Sequence, residues 1–214
     1  MAYLNFNVAT KAARATEIIT DLGSAAYILF YSGTLPQSPD NTVPGGNLLG
    51  ANPMSNPIGT IVYSVQNAAV VAGGSGGTNG TQTVTGTTGT GTKFQASVTV
   101  SGGAITAVLS ITVPGQYTAL PSNLNSEPVT GASLTGATLS LAMTAAVLLS
   151  AVATENASAS GVAAFARLAT ANTAGAAGIV DLDVGTSGSS VIVNTTTFAS
   201  GGPIVVSSGT ITEA

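Results

Sequence analysis

Apolar residues recur at helical spacing near the amino end of the chain and afterwards follow the two-residue rhythm of strands. Ala12, Ala15, Ile19 and Leu22 fall three or four positions apart, which predicts an amphipathic helix over Thr10 to Leu22, with Thr10 as its N-cap and Gly23 as its stop. Lys11 and Arg14 lie toward the positive amino end of this helix and Asp21 toward the negative carboxyl end. Each exposed charge so placed opposes the dipole by about 0.3–1 kcal/mol, so packing must hold the helix. Ala25 to Ser32 is a continuous apolar run of strand length; turn residues from Leu35 to Asn41 follow, then short strands at Leu48-Leu49 and Gly59 to Ser64, with Pro53 and Pro57 in a second loop.

The composition changes near Val65. Gly73 to Gly80 and the Thr/Gly tract through Thr92 read as a flexible lead-in to an insert. Phe94, Ala96, Val98 and Val100 then alternate with polar residues, Gly102-Gly103 supplies a hairpin turn, and Ile105 to Val113 returns as the second strand. Tyr117 and Pro121 fall in a loop, and Gly131 to Met143 closes the segment. The first rhythm then resumes in Val162 to Ala169, Ile179 to Val184, Val191 to Asn194 and Ile204 to Thr212. Val180, Leu182 and Val184 share one strand face, Asp181 and Asp183 the other, and the Gly185 to Gly188 turn suggests a hairpin into Val191. The expected architecture is all-β, a β-sandwich of Ig-like or jelly-roll-like type with one amino-terminal helix. Residues 1–64 and 141–214 form its outer domain and 65–140 a small inserted β-domain.

Charge sharpens this picture by its scarcity. Of 214 residues, four are Lys or Arg and eight are Asp or Glu, 6% in all, against roughly 25% in ordinary domains. There is no His, Cys or Trp, so the usual zinc ligands, thiol chemistry and His-based general acid or base are missing. The four cations Lys11, Arg14, Lys93 and Arg167, with a net charge of −4, do not make a phosphate-binding surface. Nucleic acid is therefore not an expected partner. The longest apolar run, Leu141 to Val152, is interrupted by Thr144 and Ser150; it falls short of the ~20 residues of a membrane-spanning helix and suits a core strand. The amino-terminal segment holds Glu17 and Asp21 where a secretory signal needs a clean apolar stretch, so synthesis without export is expected.

Candidate chemistry is correspondingly thin. Asp181 and Asp183 are the one close carboxylate pair, and they read as a solvated strand face, because calcium needs six or more oxygen ligands. The glycine clusters match neither phosphate-loop pattern: the last position after Gly74 and Gly76 is Asn79, and after Gly89 and Gly91 it is Phe94. No cofactor, metal or catalytic residue is expected. A surface with so little charge repulsion, and strand edges without charged blockers, points to a chain that associates with itself or with others.

The two outer parts resemble a family of small virion structural proteins of tailed bacteriophages and prophages. The resemblance rests on the Ala-rich helix with Lys11 and Arg14, on Leu29-Phe30-Tyr31-Ser32-Gly33-Thr34-Leu35-Pro36, Leu48-Leu49 and Ser55-Asn56-Pro57-Ile58-Gly59. It continues in Gly161, Phe165-Ala166-Arg167-Leu168, Asp183-Val184-Gly185-Thr186-Ser187-Gly188 and the ending Val205 to Glu213. The insert resembles Gly/Thr-rich β-modules of phage fibres, collars and adhesins, through Gly102-Gly103-Ala104-Ile105-Thr106-Ala107-Val108 and Gly115-Gln116-Tyr117-Thr118-Ala119-Leu120-Pro121. The resemblance implies a non-enzymatic protein of the virion, made in the bacterial cytoplasm, that decorates or cements the capsid exterior. Its partners would be the major capsid protein or neck and tail proteins and other copies of itself. The alternative is a neck, collar, tail or fibre component whose insert binds the host surface. Candidate assembly contacts lie on the helix and the Pro36–Pro53 loop: Lys11, Arg14, Ile19, Tyr31, Pro36 and Pro53.

Overall fold

The computed structural model describes residues 6–43, 47–173, 175–176 and 178–212. Glu213 of the carboxyl-terminal motif and residues 44–46 of the Pro36–Pro53 loop lie outside them. Among the described residues the fold is all-β with one α-helix, at the amino-terminal end. Helix α1 (Val8–Leu22) leads into strands β1 (Tyr27–Tyr31), β2 (Leu48–Pro53) and β3 (Gly59–Ala72). The middle of the chain forms β4 (Gly80–Gly86), β5 (Thr90–Thr92), β6 (Gln95–Ser101), β7 (Ala104–Val113), β8 (Gln116–Ala119), β9 (Glu127–Thr130) and β10 (Thr138–Leu149). The last third forms β11 (Glu155–Asn156), β12 (Gly161–Val162), β13 (Phe165–Ala169), β14 (Val180–Gly185), β15 (Val191–Val193), β16 (Thr197–Phe198), β17 (Pro203–Ile204) and β18 (Val206–Thr212).

Contacts divide the chain into two compact units. One comprises Ala13–Thr60 with Ala146–Thr212, the other Ile61–Ala145 with residues 6–12. The chain passes from one to the other inside α1, inside β3 and inside β10, so the compositional break at Val65 falls within a continuous strand. Helix α1 also begins earlier than its periodicity suggests. Asn7, not Thr10, is the N-cap: its side-chain oxygen accepts the Thr10 N–H at 2.8 Å. Asn is at least as good a cap as Thr, and starting there adds Val8 to the apolar stripe. The Gly23 N–H closes the helix on the carbonyls of Ile19 and Thr20, at 3.2 and 3.1 Å, with φ of +64°.

In the first unit, strands run in the order β2-β1-β13-β14-β15-β18-β10. β1 reads as an unbroken apolar run because both its faces are covered. Leu29 and Tyr31 pack with Val43, Phe165 and Ala169, and Phe30 meets Phe198 edge to face at 5.5 Å. The expected hairpin after β14 does not form. β14 and β15 are parallel, Val184 opposite Val191 and Gly185 opposite Ile192, because β15 takes its antiparallel partner from β18 instead, Val191 opposite Gly209.

In the second unit the ladder β9-β4-β6-β7 continues from the start of β10. Its core holds Phe94, Ala96, Val98, Val100, Val84, Tyr117 and Leu139, each at most 2% exposed. The Thr/Gly tract expected to be flexible instead supplies β4 and β5. Tyr117, expected in a loop, is buried in β8 opposite Tyr63. The β6–β7 hairpin turns at Gly102-Gly103, both with positive φ. Three bulges let the ten residues of β7 face the seven of β6, the extra residues being Thr106, Leu109 and Thr112. Inward residues therefore recur every third position on β7, where Ile105, Val108 and Ile111 stand opposite Val100, Val98 and Ala96. The Thr106 and Thr112 hydroxyls donate to the Thr99 and Gln95 carbonyls at 3.3 and 3.2 Å. Leu109, at the middle bulge, has no hydroxyl to offer and is 55% exposed.

Candidate assembly surface

The segment Ile61–Ala145 contains two charged side chains, Lys93 and Glu127, and the fold consumes both. Glu127 is fully buried. One carboxylate oxygen accepts the Thr87 and Thr88 amides at 2.8 and 2.7 Å and the other accepts the Thr88 hydroxyl, so the desolvated charge is met by three donors. The Lys93 ammonium donates to the Thr88 carbonyl at 2.9 Å and to that of Gly89, and lies 5.7 Å from the Tyr117 ring centroid. The Tyr117 hydroxyl accepts the Phe94 N–H at 2.9 Å. Burial pushes its pKa up, the Phe94 hydrogen bond pulls it down, and the Glu127 charge adds to the rise. What remains on this segment's surface is Thr, Ser, Asn, Gln, Gly and scattered apolar groups such as Val71, Leu109 and Val113.

A groove of about 410 Å3 opens on the same unit. Leu124, Leu141, Met143 and Val8 give it apolar walls, with Phe6 and Ala142, while Asn7, Lys11, Gln66 and Asn125 supply its polar edge. Lys11 is the one sequence-predicted contact that lines it.

The other predicted contacts belong to the first unit and differ widely in exposure. Arg14 is exposed on α1, and Ile19, Pro36 and Pro53 are half-buried. Tyr31 must be withdrawn as a contact. It is 0% exposed, stacked on Phe165 with centroids 5.3 Å apart, and has no surface to present. Burial raises its pKa, against the lowering influence of Arg167, and among the described residues its hydroxyl has no hydrogen-bond partner.

Beside Tyr31 lies a cluster that the sequence reading did not assemble. Arg167 on β13 is 0% exposed and stands directly opposite Asp181 on β14. Its Nε and Nη2 donate to the two carboxylate oxygens at 2.7 and 2.8 Å, a two-pronged pairing. Nη1 donates to the carbonyls of Asn41 at 2.8 Å and Ala176 at 3.3 Å. The Asp181 hydrogen bond raises the Arg167 pKa further. Gly178 leaves room for this side chain, since a Cβ there would lie 2.7 Å from Arg167 Cδ and Nε. The expectation of a solvated Asp181 and Asp183 face is thus corrected for Asp181, whose side chain is 7% exposed. Asp183 is exposed, accepts the Ser190 N–H at 3.1 Å, and has its pKa lowered first by the Ser190 hydroxyl.

Among the described residues no three His, Cys, Asp or Glu side chains gather as a metal site, and no helix is long and apolar enough to cross a membrane. No protein-family profile, curated protein or solved structure matches the chain.

Proposed function

We propose that this chain is a structural protein of a bacteriophage virion that decorates or cements the capsid exterior through non-covalent contacts and carries out no bond-making chemistry. The observation that carries the reading is the internal use of Lys93 and Glu127, which leaves Ile61–Ala145 with a surface of uncharged groups. Such a surface has no charge repulsion to keep copies apart and no ion pairs to offer a partner, so it associates through apolar burial of roughly 25 cal/mol per Å2 and neutral hydrogen bonds. A repeated lattice sums many such weak contacts. The sequence resemblance to phage virion proteins names the lattice. Of the segment's aromatic rings, Phe94 and Tyr117 are fully buried and Tyr63 is half-buried, so an exposed aromatic platform for host sugars is lacking among the described residues.

Quantifying this chain in purified virions tests the reading. Tens to hundreds of copies per particle support decoration. About a dozen would move it to the neck, and absence from particles would refute a virion role.

A further inference from the structure

Among the described residues of the second unit, the groove has a polarity that the rest lacks. Among the described residues that line it, Lys11 is the one ionic side chain, and it stands in the first turn of α1, where the helix dipole already makes the potential positive. That turn holds no acidic residue. This placement is unfavourable to the helix, and among the described lining residues none is a carboxylate that could offset it. Lys93 and Glu127, the charges of Ile61–Ala145, are bound internally, so among the described residues of this unit Lys11 is the charged side chain that faces the groove. Next to it the walls of Leu124 and Met143 offer apolar surface within a volume of about 410 Å3, room for one or two side chains.

We propose that this groove seats an acidic segment of a neighbouring protein subunit, one carboxylate against Lys11 and an adjacent large apolar side chain over Leu124 and Met143. The inference rests on the assembly reading for the partner being a protein; the chemistry of the groove stands by itself. A single exposed carboxylate–ammonium contact aided by a helix terminus favours the acidic occupant by about fivefold over its neutral amide.

The test uses the full-length protein labelled with nitrogen-15 and a blocked Gly-Glu-Phe-Gly peptide, with the Gln and Ala analogues of its Glu and Phe as controls. Amide shifts at Val8, Lys11, Asn125 and Ala142 report on the groove. Expected are saturable shifts with the Glu peptide, about fivefold weaker binding of the Gln analogue, and loss of that preference in Lys11→Gln with the fold intact. Ala142→Gln, at an exposed wall position, should weaken both peptides alike. Equal binding of the Glu and Gln peptides, no groove shifts at about 10 mM peptide, or tighter binding of sodium decanoate than of the peptide would overturn the proposal. Virion copy number is measured separately: absence from particles with the Glu preference intact refutes the assembly reading alone, and presence without the preference refutes this one alone.

Discussion

Replacing Arg167 by Ala would expose what the buried cluster contributes. The change strips both carboxylate oxygens of Asp181 of their 2.7 and 2.8 Å partners and leaves the Asn41 and Ala176 carbonyls without Nη1. An uncompensated buried charge costs about 3–5 kcal/mol. Asp181 is 7% exposed at its side chain, so little water reaches it, and the loss should fall within that range. The pair as a whole is a different matter, because its desolvation offsets most of its attraction. Arg167→Met combined with Asp181→Leu should lose only about 1–2 kcal/mol, the share of the two abandoned carbonyls. Urea unfolding followed by hydrogen exchange at β1 and β13 amides is the suitable assay, since two compact units need not unfold in one step. A single replacement costing less than about 1 kcal/mol, or a double one costing as much as the single, would refute the account.

Three further outcomes follow from other sites. Tyr117→Phe leaves the buried Phe94 N–H without its 2.9 Å acceptor and should cost about 1–3 kcal/mol in urea unfolding of the second unit. Ser190→Ala removes the main cause of the low Asp183 pKa, so a carbon-13 titration should show that pKa rising. Because the native value is depressed, the stability the wild type holds over Ser190→Ala should be present above the ordinary carboxylate pKa and vanish as pH falls through the native one. Leu109→Thr places a hydroxyl at the middle bulge as Thr106 and Thr112 do; stability in urea unfolding should change by no more than about 0.5 kcal/mol.

The strands were largely legible because their burial follows from local pattern. Ala96, Val98 and Val100 alternate inward as their spacing requires, and β1 is an apolar run because both faces are covered. What escaped depends on partners remote in sequence. The direction of β15 is set by β18, which no turn between Gly185 and Gly188 can reveal. Alternation put Asp181 on the polar side of β14, yet its environment is decided by Arg167 across the ladder. Arg167 as the one charge of β13, facing a strand that carries Asp181 and Asp183, was the available signal. Glu127 matched no motif, but as the one acid within a long uncharged segment it had to be either exposed or fully partnered. Among the predicted contacts, Lys11 reached a concave surface while Tyr31 did not, because an aromatic in a five-residue apolar strand goes to the interior.

The β6–β7 hairpin has a consequence for how errors in folding are excluded. An ordinary antiparallel pair can slide by two residues and still point its apolar groups inward. Here one strand counts in twos and the other in threes, so sliding β7 by one residue sets Thr106, Leu109 and Thr112, and by two residues Ala107, Ser110 and Val113, where Ile105, Val108 and Ile111 belong. The two strands mesh like gears of unequal pitch, and the next alignment that keeps the apolar residues inward lies a full repeat away, three residues of β7 against two of β6, which would move the turn off Gly102-Gly103.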